Sequence, residues 1–266
     1  MVWDVSPIAF TIDLGSFHYP VRWYGLFFAA TFVYGTLFFQ YLFRREGKPV
    51  DEVYDLVLWV IGGTVVGARL GHVLFYNPAY YLSHPLKVLA VWEGGLASHG
   101  AVLGILAGVW LYSRRASDQT FLWVCDRIGM AVPLSGCLIR MGNFFNSEIL
   151  GLPTDRPWAV VFARIDALPR HPVQLYEAAC YLLIFLLQFH YYLRRGMNDP
   201  EGILFGRFLA LVFGARFFLE FFKEGQAVFE SGWPLTLGQY LSLPAVLLGV
   251  YIIRQAQPRS SVSNRN

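Results

Sequence analysis

The stretch RMGNFFNSEILG (140–151) follows a long apolar run and holds Arg140, Asn143, Asn146 and Glu148. A guanidinium fork matches phosphate oxygens bidentately, so Arg140 is a candidate clamp for an anion. Asn143 and Asn146 stand three apart and share a face if the segment is a helical turn. Their amides both donate and accept, which suits the hydroxyl and ester oxygens around a phosphate. Glu148 is expected to pair with a basic residue and so anchor the loop. Gly142 and Gly151 offer the backbone freedom of a re-entrant turn.

Other polar groups punctuate apolar surroundings in the same way. Tyr24 lies in VRWYG, and Arg69 and His72 share one face in GARLGH. His99 lies in GGLASHG, and RHPVQLYE supplies His171, Gln174, Tyr176 and Glu177. Arg216 and Glu220 are four apart, the spacing of an intrahelical ion pair. Cys125, Cys137 and Cys180 are an odd set in apolar surroundings, which argues against a disulfide framework and against metal ligation.

The elements that must position these groups are membrane helices. Of 266 residues, 56% are hydrophobic, 17% aromatic and only 15% charged, with mean hydropathy +0.45. Soluble domains carry about a quarter charged residues. The apolar residues form blocks long enough to cross the hydrocarbon layer, where helices satisfy the backbone. The expected fold is an all-α polytopic membrane protein with about seven transmembrane helices, at 21–43, 54–76, 97–113, 120–138, 173–193, 203–222 and 235–253. Segment 78–92, broken by Pro85, is too short to span and is assigned to the interface. Residues 1–256 read as one integral membrane unit, with an external N-terminal arm at 1–20, an external loop at 152–170 and a disordered cytoplasmic tail at 257–266. In the loop, PWAVVF is a short strand-like run.

Basic pairs follow the first, third and fifth runs, and Arg254, Arg259 and Arg265 follow the seventh. The positive-inside rule then orients the chain N-out and C-in. Six spans thereby bring their polar residues to the outer leaflet. Such residues are costly in lipid and normally face an internal cavity. With Arg69, Arg140 and Arg216 prominent, the chamber is cationic, and the commonest anion at that depth is a phospholipid headgroup.

Two other function classes fit less well. An anion or lipid transporter with an outward-facing, arginine-lined chamber needs polar residues through both leaflets, and the inner halves of the spans offer few. A metal-dependent phosphotransferase needs clustered aspartates on one helix, which are lacking. No metal cluster, phosphate-binding glycine loop or nucleic-acid motif is evident, and no cofactor is expected.

The motifs RMGNFFNSEILG, GGLASHG, GARLGH, HPVQLYE and ARFFLEFF on seven spans resemble the prolipoprotein diacylglyceryl transferases of bacterial inner membranes, from about Trp23 to the last span. The resemblance implies transfer of the diacylglyceryl group of phosphatidylglycerol to the lipobox cysteine of a preprolipoprotein signal peptide. A thioether forms and glycerol phosphate leaves. It places the active site toward the periplasm and implies an enzyme that acts as a monomer. His99 is then the candidate general base, since an ordinary imidazole titrates near 6.5 and thiolate is the attacking species. Arg140 and Arg216 stabilise the leaving phosphate, and Glu220 orients Arg216. Tyr24, Arg69, Asn143, Asn146, Glu148, Gly151 and His171 bind or position the lipid head.

Overall fold

The computed structural model describes residues 1–15, 17–116, 119–195, 199–225 and 234–256; the tail expected to be disordered lies outside these. Seven long helices occupy the seven apolar runs. They are α1 (Trp23–Arg45), α2 (Glu52–Phe75), α4 (Ser98–Ser113), α5 (Phe121–Asn146), α6 (Val173–Arg195), α7 (Ile203–Leu219) and α8 (Leu237–Gln255). Helices α1, α2, α5, α6 and α8 are long and apolar enough to cross a membrane, whereas α4 and α7 have 16 and 17 residues. The chain is thus a polytopic helical membrane protein. The broken segment after α2 forms a six-residue helix, α3 (Pro78–Ser83), and two 3-10 turns.

The backbone divides into two compact units, Phe38–Cys125 and Met1–Leu37 with Asp126–Asn266. In the first, α2 and α4 touch backbone to backbone. A Cβ on Gly104 would lie 2.8 Å from the Gly63 carbonyl carbon and 2.9 Å from Gly67 Cα, and one on Gly71 would lie 2.8 Å from Gly100 Cα. Lipid is as apolar as the side chains, so this intimate packing is what holds the pair together. Gly104→Val should therefore force the helices apart and cost about 1–3 kcal/mol. Gly62→Ala, where a Cβ meets nothing within 4 Å, should not lower the unfolding midpoint in detergent and should raise it slightly, since alanine favours the helix.

The second unit carries the extramembrane strands. β1 (Val2–Trp3) runs parallel to β4 (Val160–Phe162), which pairs antiparallel with β5 (Pro169–Arg170). The second half of the strand-like run at 157–162 thus becomes a strand. Trp3 packs its ring 4.3 Å from Phe144 and 5.3 Å from Phe145, near the end of α5. A separate antiparallel hairpin, β2 (Ile8–Leu14) and β3 (Phe17–Arg22), leads directly into α1. Asp126 on α5 caps α7 from outside: its carboxylate accepts the N–H groups of Gly202 and Phe205, both at 2.8 Å. These donors have no partner inside α7, so the contact satisfies the helix start.

Hydropathy ends the fourth run at 138, but α5 continues to Asn146 through Pro133. RMGNFFN is therefore helix, not a re-entrant turn. Gly142 is not needed for backbone freedom. A Cβ there would lie 3.0 Å from Tyr24 Cδ2 and 3.2 Å from its Cα, so the bare position lets α1 lie against α5.

Candidate active site

Because 140–146 is helical, Arg140 and Asn143 fall on one face one turn apart. Arg140 Nη1 donates to Asn143 Oδ1 at 3.1 Å. Asn143 Nδ2 donates to one oxygen of Glu148 at 3.2 Å, and Asn146 Nδ2 to the other at 3.1 Å. Glu148 therefore takes two amides rather than the basic partner expected for it. Just beyond the helix, Ser147 and Ile149 both hold φ of +57°, a left-handed geometry that non-glycine residues adopt only when their surroundings impose it. The imposed contact is visible: Gln174 Nε2 donates to the Glu148 carbonyl at 2.6 Å.

The centre of the cluster is Glu177 on α6, which is fully buried. One carboxylate oxygen lies 2.6 Å from Arg140 Nε, the other 2.8 Å from Lys223 Nζ. Lys223 also reaches Glu220 at 3.1 Å. An intrahelical pair between Arg216 and Glu220 is thus not what forms: the 3-10 turn after α7 brings Lys223 to Glu220 instead. The Glu220 carboxylate also lies against the first turn of α8, since a Cβ on Gly238 would stand 2.7 Å from it. The partial positive charge of a helix N-terminus favours an anion there.

Arg216 is left available. It is half-buried on α7, and no carboxylate or hydrogen-bond acceptor among the described residues pairs with it. It lines a cavity of about 140 Å³ with Glu220, Lys223, Glu224 and Gly238. Glu220 is bound by Lys223 and Glu224 by Arg170, so neither carboxylate of the cavity forms an ion pair with Arg216. The phenol of Tyr181, on α6, lies within hydrogen-bonding reach of Arg140 and in the field of Arg216.

Four residues of the expected binding set make contacts within the fold. Arg69 is buried, with its guanidinium committed to the carbonyls of Lys87 (2.5 Å), Val88 (2.9 Å), Gly94 (2.5 Å) and Gly95 (3.2 Å). It clamps the segment between α3 and α4. Gly151 is bare because a Cβ would lie 2.8 Å from His171 Cβ and closer still to its carbonyl. His171 shares a hydrogen bond with the Tyr176 hydroxyl at 3.1 Å and packs 5.2 Å from Phe222. Tyr24 lies against Gly142 and stacks 6.4 Å from Phe28. His99 is exposed, with Phe75 and Tyr76 rings at 5.3 and 6.0 Å. Arg69 and His99 belong to the unit Phe38–Cys125, the other expected residues to the second unit.

Three central residues were absent from the expected set. Glu177 was legible only as a carboxylate in an apolar span, which is by itself a functional signal. Lys223 stands just past the sixth apolar run, where its residue type and position carry no site signal. Arg170 ties three segments: it donates to Asp166 at 2.5 Å, to Glu224 at 3.1 Å and to the Gly151 carbonyl at 3.1 Å. These hydrogen bonds from Arg170, aided by the Leu168 N–H, hold the Asp166 carboxyl below its ordinary range. The tie therefore persists at neutral pH and is lost only as pH falls through that lowered value.

The model of the prolipoprotein diacylglyceryl transferase family matches residues 7–254. A phosphatidylglycerol–prolipoprotein diacylglyceryl transferase of Chloroherpeton thalassium is 51% identical over 96% of this chain and 93% of its own length. A protein of the same name from Tolumonas auensis is 49% identical over 95% and 96%, and one from Porphyromonas gingivalis is 41% identical over 96% and 94%. With the match running from the β2–β3 hairpin through the long helices and the Arg140–Glu177–Lys223 cluster alike, the chain belongs to the prolipoprotein diacylglyceryl transferase family.

Proposed function

We propose that this protein transfers the diacylglyceryl group of phosphatidylglycerol to the thiol of a lipobox cysteine in a preprolipoprotein. The cysteine thiolate attacks the glyceryl C3 carbon, a C–S bond forms, and the C3–O bond to phosphate breaks. The electron pair leaves with glycerol phosphate. The observation that carries this reading is Arg216, a half-buried cation lining a cavity with no anionic partner among the described residues. A phosphate whose charge grows as the bond breaks supplies that partner, and a fixed guanidinium is worth most when aimed at developing charge.

In this reading Arg140 holds the same phosphate, its Nε fixed on Glu177. Asn143, Asn146 and Glu148 form the polar rim against the headgroup glycerol, and Tyr24 sets the position of α5. His99 takes the thiol proton. Seven spans, an N-out orientation, a periplasm-facing site in the bacterial inner membrane and action as a single chain belong to the same reading. The transporter alternative is less favoured, because the family names are those of transferases.

Purified protein in detergent, given phosphatidylglycerol labelled in its acyl chains and a lipobox peptide, should yield a thioether-linked peptide and one glycerol phosphate per transfer. A Cys→Ser peptide should remain unmodified. Folded protein that produces no labelled peptide, or labels it without releasing glycerol phosphate, would overturn the assignment. With His99→Gln, the acidic limb of the pH–rate profile should disappear along with most of the rate; an unchanged limb places the base elsewhere.

A further inference from the structure

We propose that the hairpin β2–β3 lies on the bilayer, one face set into the boundary between headgroups and acyl chains, at the surface where α1 enters the membrane. The register makes it amphipathic. Phe10 pairs with Val21 and Ile12 with Tyr19, and Leu14 falls on the same face by alternation. The other face carries Thr11, Asp13, His18 and Pro20, with His18 Nδ1 2.5 Å from an Asp13 oxygen.

Among the described residues the apolar face stays largely open: Phe10 is 51% exposed, Ile12 41% and Leu14 69%. An isolated two-stranded hairpin with such a face is marginal in water and needs a third layer. The occupant follows from the attachment. β3 ends at Arg22 and α1 begins at Trp23 with no linker. The other strand is tied to the same point, because Trp23 N–H donates to the Pro7 carbonyl at 2.9 Å. Both legs are thus anchored where a membrane helix starts, and strands of this length reach only about 23 Å from there. The residues at that junction suit lipid: Trp23 is an aromatic of the interfacial kind, and the exposed Arg22 fits headgroup phosphate. Lipid surface therefore accounts for the apolar face, the polar face and the point of attachment together.

The test places an environment-sensitive fluorophore at Ile12→Cys or Thr11→Cys, in a chain whose Cys125, Cys137 and Cys180 are replaced by alanine. The protein is reconstituted in phosphatidylcholine–phosphatidylglycerol vesicles. The Ile12 site should lose emission with lipids spin-labelled near the headgroup end of the acyl chain and resist aqueous iodide; the Thr11 site should show the reverse. Equal iodide quenching at both sites overturns the proposal. So does shielding of the Ile12 site that rises with protein density at fixed lipid composition, which marks a second copy as the occupant. Should the cysteine-free chain fail to fold, Ile12→Trp and Thr11→Trp in the native-cysteine chain, read by brominated-lipid quenching in excess of the parent, apply the same criteria.

Discussion

Arg216→Ala is expected to slow diacylglyceryl transfer by about 10²–10³-fold, the loss typical when one preorganised charge-stabilising donor is removed. The same substitution should leave the unfolding midpoint near that of the parent, since Arg216 pairs with no carboxylate among the described residues and its removal strands no buried anion. Arg216→Lys keeps the charge but loses the planar fork, so its rate should lie between the two. Single-turnover transfer on a lipobox peptide, alongside SDS-titrated unfolding, separates the outcomes. A variant that unfolds readily while the folded fraction transfers at the parental rate would contradict the role given to Arg216.

Glu177→Ala should do the opposite first and the same second. Its fully buried carboxylate faces Arg140 at 2.6 Å and Lys223 at 2.8 Å. Neither contact is a well-aligned hydrogen bond to an oxygen, so charge, not directionality, dominates. Removing one member of a buried ionic group leaves its partners uncompensated, at about 3–5 kcal/mol. Lys223 retains Glu220, while Arg140 retains only neutral partners, Asn143 and Tyr181. Stability in SDS titration should therefore fall by that order, and transfer should fall further than unfolding alone explains. Glu177→Gln, which preserves shape but not charge, should lose less of each. Parental stability in both variants would show that the cluster is held by packing instead.

Much of the helical frame was legible because hydropathy reads burial in lipid directly: each apolar run became a helix. The run ending at 138 was misjudged because Arg140, Asn143 and Asn146 lower the mean, although helix geometry is what aligns Arg140 with Asn143. Spacing alone suggested that Arg216 and Glu220 pair. A 3-10 turn at Glu220–Phe222 changes the periodicity and delivers Lys223 in place of Arg216. Arg69 could not be read either way from sequence. Its partners are carbonyls between 87 and 95, and backbone acceptors carry no residue-type signature. Gly151 was singled out for conformational freedom, yet the reason for it is steric, the backbone of His171.

The pairing of β1 with β4 joins residues 2–3 to residues 161–162. During synthesis, β1 must wait until α1 through α5 have emerged before its partner exists, and a contact that distant in sequence closes late. Sealing of Trp3 onto Phe144 and Phe145 then comes after the asparagine-bearing end of α5 has formed. The emission of Trp3 should accordingly be a timer for assembly, changing only in chains that have finished laying down the polar rim.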